Sequence, residues 1–191
     1  MQTTSVARSS RLVKFSRLIL TVISVSVISL AALPSTSLAA GADGIYRVTG
    51  GKGSFTGGGE TSKIPKSVFN EIAKEQTAGI VVLNHKIMVN RKMTAALFKS
   101  LAEDSGITIH PKVKGPSSLT LVPDGDHFTG KTLQPIITKF SGFDEGEKFS
   151  VTLKTYITVT VKGDSLTLVT RFSGGDGSDK VSGTITLFGK R

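Results

Sequence analysis

The sequence predicts an α+β protein, in which a curved antiparallel β-sheet that ends in a C-terminal meander packs with two amphipathic helices. Apolar and polar residues alternate strictly over residues 149–161, and two further alternating segments follow after short turns. Earlier in the chain, two segments place apolar residues four positions apart, which is the spacing of one helix face. Alternation buries one face of a strand and leaves the other in water, and short turns join successive strands antiparallel.

The first forty residues precede this domain and have the order of a secretory signal peptide. They contain no acidic residue and four basic ones, which are Arg8, Arg11, Lys14 and Arg17. An uncharged apolar run over 18–33 follows, and then small residues around Ala39 and Ala40, where we expect cleavage. A membrane span needs about 20 apolar residues, and the run over 18–33 is shorter than that. We therefore expect membrane contact only through the signal peptide before cleavage.

Residues 41–191 are then expected to form a single exported domain. The complete chain has 24 Lys and Arg against 14 Asp and Glu, and removal of the leader leaves 20 against 14. This positive balance favours anionic partners, but the lysines are spread singly and Trp is absent, so nucleic acid is not an expected partner. Without cysteine there can be no disulfide or thiolate metal site, and an exported chain of this kind is typical of a bacterial envelope, either secreted or periplasmic.

The N-terminal part of the domain is predicted to be a strand and a helix. Residues 44–59 begin as a strand and pass into a glycine-rich stretch, which we interpret as a flexible hairpin or an open linker. A helix is expected over 65–76, because Pro65 suits a first turn and apolar residues recur every four positions. These apolar residues are Ile64, Val68 and Ile72, with Phe69 beside them.

The middle of the domain is predicted to be a strand followed by the second helix. Residues 80–89 alternate as one long strand would, and this interpretation is preferred to a hairpin that turns at Asn84 and His85. The second helix is expected over 91–104, with Asn90 as its N-cap.

From residue 107 onward, the chain is predicted to be β-structure. Fully extended, the segment 149–161 would reach about 43 Å, which is longer than most strands. It is therefore expected to bend or bulge within a curled sheet. Turns at 162–164 and 174–179 lead into two more alternating strands, which complete the antiparallel meander.

Residues 125–132 match the nucleotide-binding P-loop pattern GxxxxGKT. That pattern binds phosphate only between a strand and a helix, where backbone amides surround the phosphate. Here Asp126 would repel phosphate and Pro135 would interrupt the following helix. The segment is therefore predicted to be a polar hairpin loop, with no nucleotide as partner.

Residues 174–182 match the calcium nonapeptide pattern GGxGxDxUx. The segment resembles one repeat of the RTX family, whose repeats bind calcium between successive turns of a β-roll. The chain has one copy, whereas a roll needs several copies to share ligands and bury a core. A hairpin turn is therefore expected, with Asp176 and Asp179 as weak candidates for a calcium site.

The other local cluster of metal-ligand side chains is Asp124, Asp126 and His127, a weak metal candidate for which a solvated turn is the preferred interpretation. Of the two remaining histidines, His85 is expected on an apolar face and His110 at a strand end. The chain contains neither a GxSxG elbow nor an HExxH motif. We therefore expect no enzyme, assign no catalytic residue and infer no cofactor.

The two ends of the domain carry a resemblance of their own. The first strand has Gly-Ile-Tyr at 44–46, and the last strand ends in Gly-Lys-Arg at 189–191. This resembles lipocalin-type barrels, in which a Gly-x-aromatic start packs near a late Arg, although the usual Trp is absent. The resemblance covers six residues and implies the alternative fold, a closed lipocalin-like β-barrel with added helices.

Three functional hypotheses follow. A long curled sheet with one apolar face encloses space that helices can cover, so the leading hypothesis is an exported, non-catalytic binding protein for an apolar or amphiphilic small molecule. The second is a structural or interaction protein of the cell envelope, with a filled core and a basic surface that contacts an anionic polymer or lipid. The third is an unrecognised hydrolase. The sequence leaves the oligomeric state open.

Overall fold

The computed structural model describes residues 41–74, 79–89, 91, 92, 95, 99, 108–144, 147–176 and 180–191. Within them it defines one helix, α1 (Lys66–Lys74), and twelve strands that form one sheet. The strands are β1 (Gly44–Gly57), β2 (Glu60–Lys63), β3 (Gly79–Leu83), β4 (Lys86–Met88), β5 (Thr108–Lys114), β6 (Ser118–Thr120), β7 (Val122–Asp124), β8 (His127–Lys131), β9 (Ile136–Asp144), β10 (Glu147–Lys162), β11 (Ser165–Gly175) and β12 (Lys180–Lys190).

The structure gives bounds for one helix where the sequence predicts two. Helix α1 confirms the helix predicted over 65–76. The second predicted helix, over 91–104, lies mostly outside the described residues, as does the predicted signal peptide over 1–40.

All strand pairs are antiparallel, in the order β5-β9-β10-β11-β12-β1-β3-β4-β6. Strand β6 continues into β7 past the single residue Leu121, β7 pairs with β8, and β8 pairs with β10, so the sheet curls around one end. At the other end, β2 and β5 each pair with one strand of the described sheet and leave it open. The sheet is therefore a curled half-barrel, which confirms the predicted curved antiparallel sheet rather than the closed lipocalin-like barrel.

Strand β10 changes its partner along its length and so produces a fork in the sheet. Up to Thr155 it pairs with β9, and from Thr158 it pairs with β8. Thr132, just after β8, lies where β10 changes its partner strand. Its amide donates to the carbonyl of Ile157 over 2.9 Å, and its hydroxyl accepts a hydrogen bond from the Ile157 amide over 3.0 Å.

The inner face of the sheet holds the hydrophobic core. The alternation predicted over 149–161 is observed in β10, and β11 and β12 follow as the predicted meander, with Thr170 opposite both Ile157 and Ile185. The largest fully buried side chains are Tyr46, Phe69, Ile80, Ile87, Ile109, Phe140, Leu153, Leu166, Leu168, Ile185 and Leu187. Packed apolar side chains therefore occupy the concave side of the half-barrel.

Thr170 is a polar residue within this core. It is 1% exposed, and its hydroxyl has no hydrogen-bond partner among the described residues. Because such a hydroxyl has lost its bonds to water without replacement, we expect Thr170→Val to raise the free energy of unfolding by about 1 kcal/mol. Urea unfolding measures the change. Thr167→Val, at an outward position of the same strand, is the matched control, with an expected change below about 0.5 kcal/mol; a less stable Thr170→Val variant would contradict the assignment.

Helix α1 packs on the inner face of β1, where that strand has glycine in place of a side chain. A β-carbon on Gly51 would lie 2.5 Å from Cδ1 of Phe69, and one on Gly53 would lie 2.6 Å from Cδ1 of Ile64. Phe69 is buried beneath the helix. The helix therefore sits closer to the sheet than any larger residue at these positions would allow.

The glycine-rich stretch over 44–59 therefore forms a hairpin with β2, as one of the two predicted alternatives had it, and is not an open linker. Most of it is extended strand, paired with β12 along its length. Gly58 and Gly59, with φ angles of 62° and 85°, turn the chain into β2. The composition indicated flexibility, but the missing side chains instead make room for the helix.

Strands β3 and β4 are joined by a two-residue turn at Asn84 and His85, whose φ angles are 51° and 56°. The preferred prediction of one strand over 80–89 is wrong, and its hairpin alternative is correct. The carboxylate of Asp43 accepts hydrogen bonds from the amides of Asn84 and His85 over 2.7 and 2.8 Å. The His85 ring stacks on Phe128 with 5.2 Å between centroids. Asp43 and Phe128 are both distant from this turn in sequence, so the local alternation of residues did not indicate it.

Arg191 joins the start and the end of the described part of the chain. Its guanidinium donates to the Asp164 carboxylate over 2.8 and 3.0 Å. It also donates to the carbonyls of Gly41 and Asp43 over 3.3 and 2.9 Å. It lies 5.9 Å from the ring centroid of Tyr46, so the late Arg and the aromatic start are neighbours as the resemblance implies. Burial raises the pKa of the Tyr46 phenol, while the charge of Arg191 opposes that shift.

Candidate functional site: the outer face of the sheet

The strand alternation that fills the core also determines which side chains face away from it. In β10 these are the even-numbered residues, such as Lys154 and Tyr156, and in β11 they are odd-numbered, such as Arg171. In β12 and the second half of β1 they are again even-numbered, such as Thr184 and Lys52. These positions make up one continuous outer surface.

Eight of the exposed cations on this surface form what we call the outer cationic face. They are Lys52 of β1, Lys63 of β2, Lys112 and Lys114 of β5, Lys139 of β9, Lys154 of β10, Arg171 of β11 and Lys180 of β12. Strands β1, β5, β11 and β12 contain no acidic residue. The acidic residues of β9 and β10 stand only at the ends where one strand follows the other, and Glu60 stands at the start of β2. None of the eight cations has an ion-pair partner among the described residues.

The strand register brings together cations that are distant in sequence. Lys112 of β5 lies opposite Lys139 of β9. Nearby, Lys114 and Lys154 lie on either side of Ile137. Because neighbouring strands are about 4.8 Å apart and the Debye length is about 8–10 Å at physiological salt, the fields of these charges add rather than act separately.

Near its centre, the outer face has a shallow depression with a volume of about 370 Å³. Tyr156 lies opposite Arg171, which in turn lies opposite Thr184. The Tyr156 side chain is 44% exposed. Hydroxyl-bearing residues complete the outward lining, namely Ser54, Thr56, Ser173, Ser182 and Thr184. We call this the Tyr156 depression; it combines an aromatic ring, one guanidinium and several hydroxyls.

A larger groove, with a volume of about 770 Å³, lies beside the fork in the sheet. The connections 115–117 and 132–135 border it. Leu133, which is 84% exposed, and Val122 give it an apolar wall, and Lys131 is its charged residue. We call this the fork groove.

The candidate metal ligands Asp124, Asp126 and His127 lie together at the hairpin between β7 and β8. His127 Nδ1 is 3.1 Å from Asp126 Oδ1, and His127 Nε2 is 3.4 Å from Asp124 Oδ2. Each carboxylate thus approaches a different ring nitrogen. Lys162 also pairs with Asp126, and hydrogen bonds from Lys162 and then His127 lower the pKa of that carboxyl. No group of three or more potential ligands able to hold a metal occurs in the described part of the chain; a metal site here stays a prediction.

The remaining sequence-predicted candidates are Asp176, Asp179 and His110. Asp176 follows the end of β11 and Asp179 lies outside the described residues, so the calcium site also stays a prediction. The segment 174–182 leads between two antiparallel strands, and 125–132 contains the β7–β8 hairpin, as predicted for each. His110 is exposed on β5.

The sequence shows the outer cationic face only indirectly. Each of its lysines stands alone, so no basic run marks the surface. The available signal is the placement of the acidic residues. Between residues 149 and 190 they occur only at or beside the turns, as Asp164, Asp176 and Asp179, which leaves the outward sides of three strands mostly to Lys, Arg, Thr and Ser.

In the described part of the chain, no helix has the length and apolar composition that crossing a bilayer requires. Comparison of the chain with protein-family models, with curated proteins and with solved structures found no match. Function therefore has to follow from the chemistry of the surface.

Proposed function

We propose that this is an exported, non-catalytic binding protein of the cell envelope that holds an anionic polymer on its outer cationic face. The observation that carries the proposal is the sign of that face, to which seven strands contribute eight cations while acidic residues stand only at strand ends. A surface of one sign raises the local concentration of an oppositely charged partner and speeds its association.

A polymer is favoured over a lipid surface by the residues between the cations. Most outward positions there carry hydroxyls that donate and accept hydrogen bonds; they are Ser54, Thr56, Thr158, Ser173, Ser182, Thr184 and Thr186. A membrane-surface site ordinarily adds an apolar stripe that enters the headgroup region. The exposed apolar side chains Ile137 and Phe188 stand three strands apart on this face instead.

The filled interior supports the same choice. The leading sequence-based hypothesis puts an apolar ligand inside the curved sheet, and such a ligand needs empty space on the concave side. In the described residues, the concave side is occupied by the packed core and by helix α1, with Phe69 against Gly51. The side chains that are available to bind a partner therefore lie on the outer surface of the sheet.

The test is binding of the exported protein to alginate, a soluble anionic polysaccharide. We expect the dissociation constant to rise steeply with ionic strength, because salt screens exposed charges. A triple variant with Lys52→Gln, Lys139→Gln and Lys154→Gln should bind about tenfold more weakly, since each exposed ion pair is worth about 0.5 kcal/mol. Isothermal titration calorimetry gives the affinities.

The matched control removes the same charge elsewhere. Lys66, Lys74 and Lys92 are exposed and lie outside the outer cationic face, and the corresponding triple Gln variant should retain the wild-type affinity to within about twofold. Equal weakening of the two triple variants would show that only net charge matters and would contradict the proposal. Binding to anionic vesicles but not to alginate would favour a lipid surface and also contradict it.

A second candidate function, carriage of an amphiphilic small molecule, has support from the fork groove. Its volume of about 770 Å³ falls in the range of about 300–1,000 Å³ that ligand sites occupy. Leu133 and Val122 would contact an apolar tail, and Lys131 would pair with an acidic head group. The hydrolase hypothesis has no comparable support, and the absence of enzyme activity stays a prediction.

Native mass spectrometry of the protein taken directly from its host tests the second candidate. An added mass of a few hundred daltons that Leu133→Asp removes would support it. Leu133 is so exposed that this change should leave the fold intact. Wild-type protein that carries no added mass under gentle conditions would contradict it.

A further inference from the structure

The Tyr156 depression differs in chemistry from the rest of the outer cationic face. Seven of the eight cations on that face are lysines, and the eighth, Arg171, is the one that lines the depression. A guanidinium is planar and presents paired donors that match a carboxylate, whereas an ammonium is a point charge. Because Arg171 has no ion-pair partner among the described residues, these donors are available.

Tyr156 adds an exposed aromatic surface to the depression. It lies directly opposite Arg171 across the β10–β11 pair, and its side chain is 44% exposed. An exposed aromatic ring offers a rigid apolar surface with a polar tip, and little conformational entropy is lost when a ligand contacts it. The C–H groups of a sugar ring are suited to such a surface, while a polyphosphate chain has no ring to place there.

Side-chain hydroxyls surround the pair formed by Tyr156 and Arg171. Ser54 and Thr184 are opposite each other in the same row as Arg171, and Ser173 and Ser182 are opposite each other in the next row. These groups can exchange hydrogen bonds with the hydroxyls of a sugar. Only one cation lines the depression, and its guanidinium is planar. The depression therefore matches a ligand group that is planar and carries a single negative charge.

We propose that the Tyr156 depression is a subsite for one carboxylated sugar unit, so that the polymer held by this protein is a polyuronate-type glycan. The carboxylate pairs with the Arg171 guanidinium, the ring lies against Tyr156, and the serine and threonine hydroxyls bond to the sugar hydroxyls. This inference deepens the proposed function and rests on it, because it names the polymer that the outer cationic face holds.

Titration of the exported protein with alginate oligomers tests the subsite. Lys180→Ala, which removes one charge from the same face outside the depression, should weaken binding about twofold to threefold. Arg171→Ala should weaken it about 30-fold, and Arg171→Lys should recover little of that loss, because the paired geometry is gone. Tyr156→Ala should cost about tenfold, whereas Tyr156→Phe, which keeps the ring, should stay within about twofold of wild type. All five variants replace residues that are exposed, and thermal melting checks that each variant is folded.

Two further ligands distinguish the subsite from simple charge attraction. Carboxyl-reduced alginate should lose measurable binding, and the affinity for dextran sulfate of the same length should respond equally to Arg171→Ala and Lys180→Ala. If wild type binds alginate but Arg171→Ala matches Lys180→Ala, or Arg171→Lys restores full affinity, the subsite is overturned while the proposed function stands. If wild type binds no anionic polysaccharide at low salt, the proposed function fails and the subsite fails with it.

Discussion

Replacing Gly51 with alanine is expected to lower the free energy of unfolding by about 3 kcal/mol. The new β-carbon would lie 2.5 Å from Cδ1 of Phe69 and 2.6 Å from the carbonyl oxygen of Thr186, both closer than packed atoms allow. Overpacking a filled core costs about 1–3 kcal/mol when side chains can move. The upper end applies here because one of the two neighbours is the backbone of β12. Urea unfolding followed by circular dichroism measures the change.

The control for this prediction is Lys52→Ala. Lys52 is adjacent to Gly51 and points outward, so its replacement should change the free energy of unfolding by less than about 0.5 kcal/mol. Phe69→Ala alone should cost about 3–5 kcal/mol. The double variant Gly51→Ala, Phe69→Ala should be more stable than the sum of the two single changes predicts, by at least about 1 kcal/mol, because the smaller side chain relieves part of the clash. Wild-type stability of Gly51→Ala, or full additivity, would contradict the packing of α1 on β1.

Replacing Arg191 with alanine should also cost about 3 kcal/mol. The guanidinium bonds to the Asp164 carboxylate and to the carbonyls of Gly41 and Asp43, and it covers the ring of Tyr46. Hydrogen bonds to charged groups are worth about 1.5–3 kcal/mol each. We take less than their sum because the Arg191 side chain is 29% exposed. The melting temperature should fall by about 8 °C, since 1 kcal/mol shifts a domain of this size by about 2–4 °C.

Two comparisons separate the geometry of Arg191 from its charge. Arg191→Lys keeps the charge but loses the planar fork that reaches several acceptors, so most of the stability loss should remain. Lys190→Ala, at the neighbouring exposed position, should change the melting temperature by no more than about 2 °C. Melting of Arg191→Ala at the wild-type temperature would mean that the two ends of the domain are held by other contacts.

The C-terminal half of the fold was predictable because its signals are local. In β10, burial follows the alternation along the strand, and the turn at Gly163 and Asp164 lies where the alternation stops. Helix α1 was predictable for the same reason, because its apolar residues recur at helical spacing within nine residues. Each of these elements could be inferred from neighbours in sequence.

The errors arose where residues far apart in sequence decide the structure. The turn at Asn84 and His85 depends on Asp43, about forty residues earlier, whose carboxylate binds both amides. The glycines of β1 are explained by Phe69, a helix residue that occupies the space left by their missing side chains. Local composition contains neither contact, so it favoured one long strand over 80–89 and indicated flexibility over 44–59.

The candidate site was missed for a related reason. Lys112, Lys139 and Lys154 look like scattered surface charges until the register of β5, β9 and β10 sets them side by side. The overall positive charge could be predicted, but its concentration on one face depends on strand order. The depression at Tyr156 and Arg171 likewise exists only because their two strands pair in one particular register.

The most direct test of the central claim is an NMR titration of the isotopically labelled protein with an alginate oligomer. We predict that the amide shifts that change most belong to outward residues of β1, β10, β11 and β12, centred on Tyr156 and Arg171. The changes should shrink as salt is raised from about 20 to about 300 mM, because screening weakens the attraction. Shift changes confined to the fork groove or to helix α1, or no change at low salt, would contradict the assignment of the outer cationic face as the binding surface.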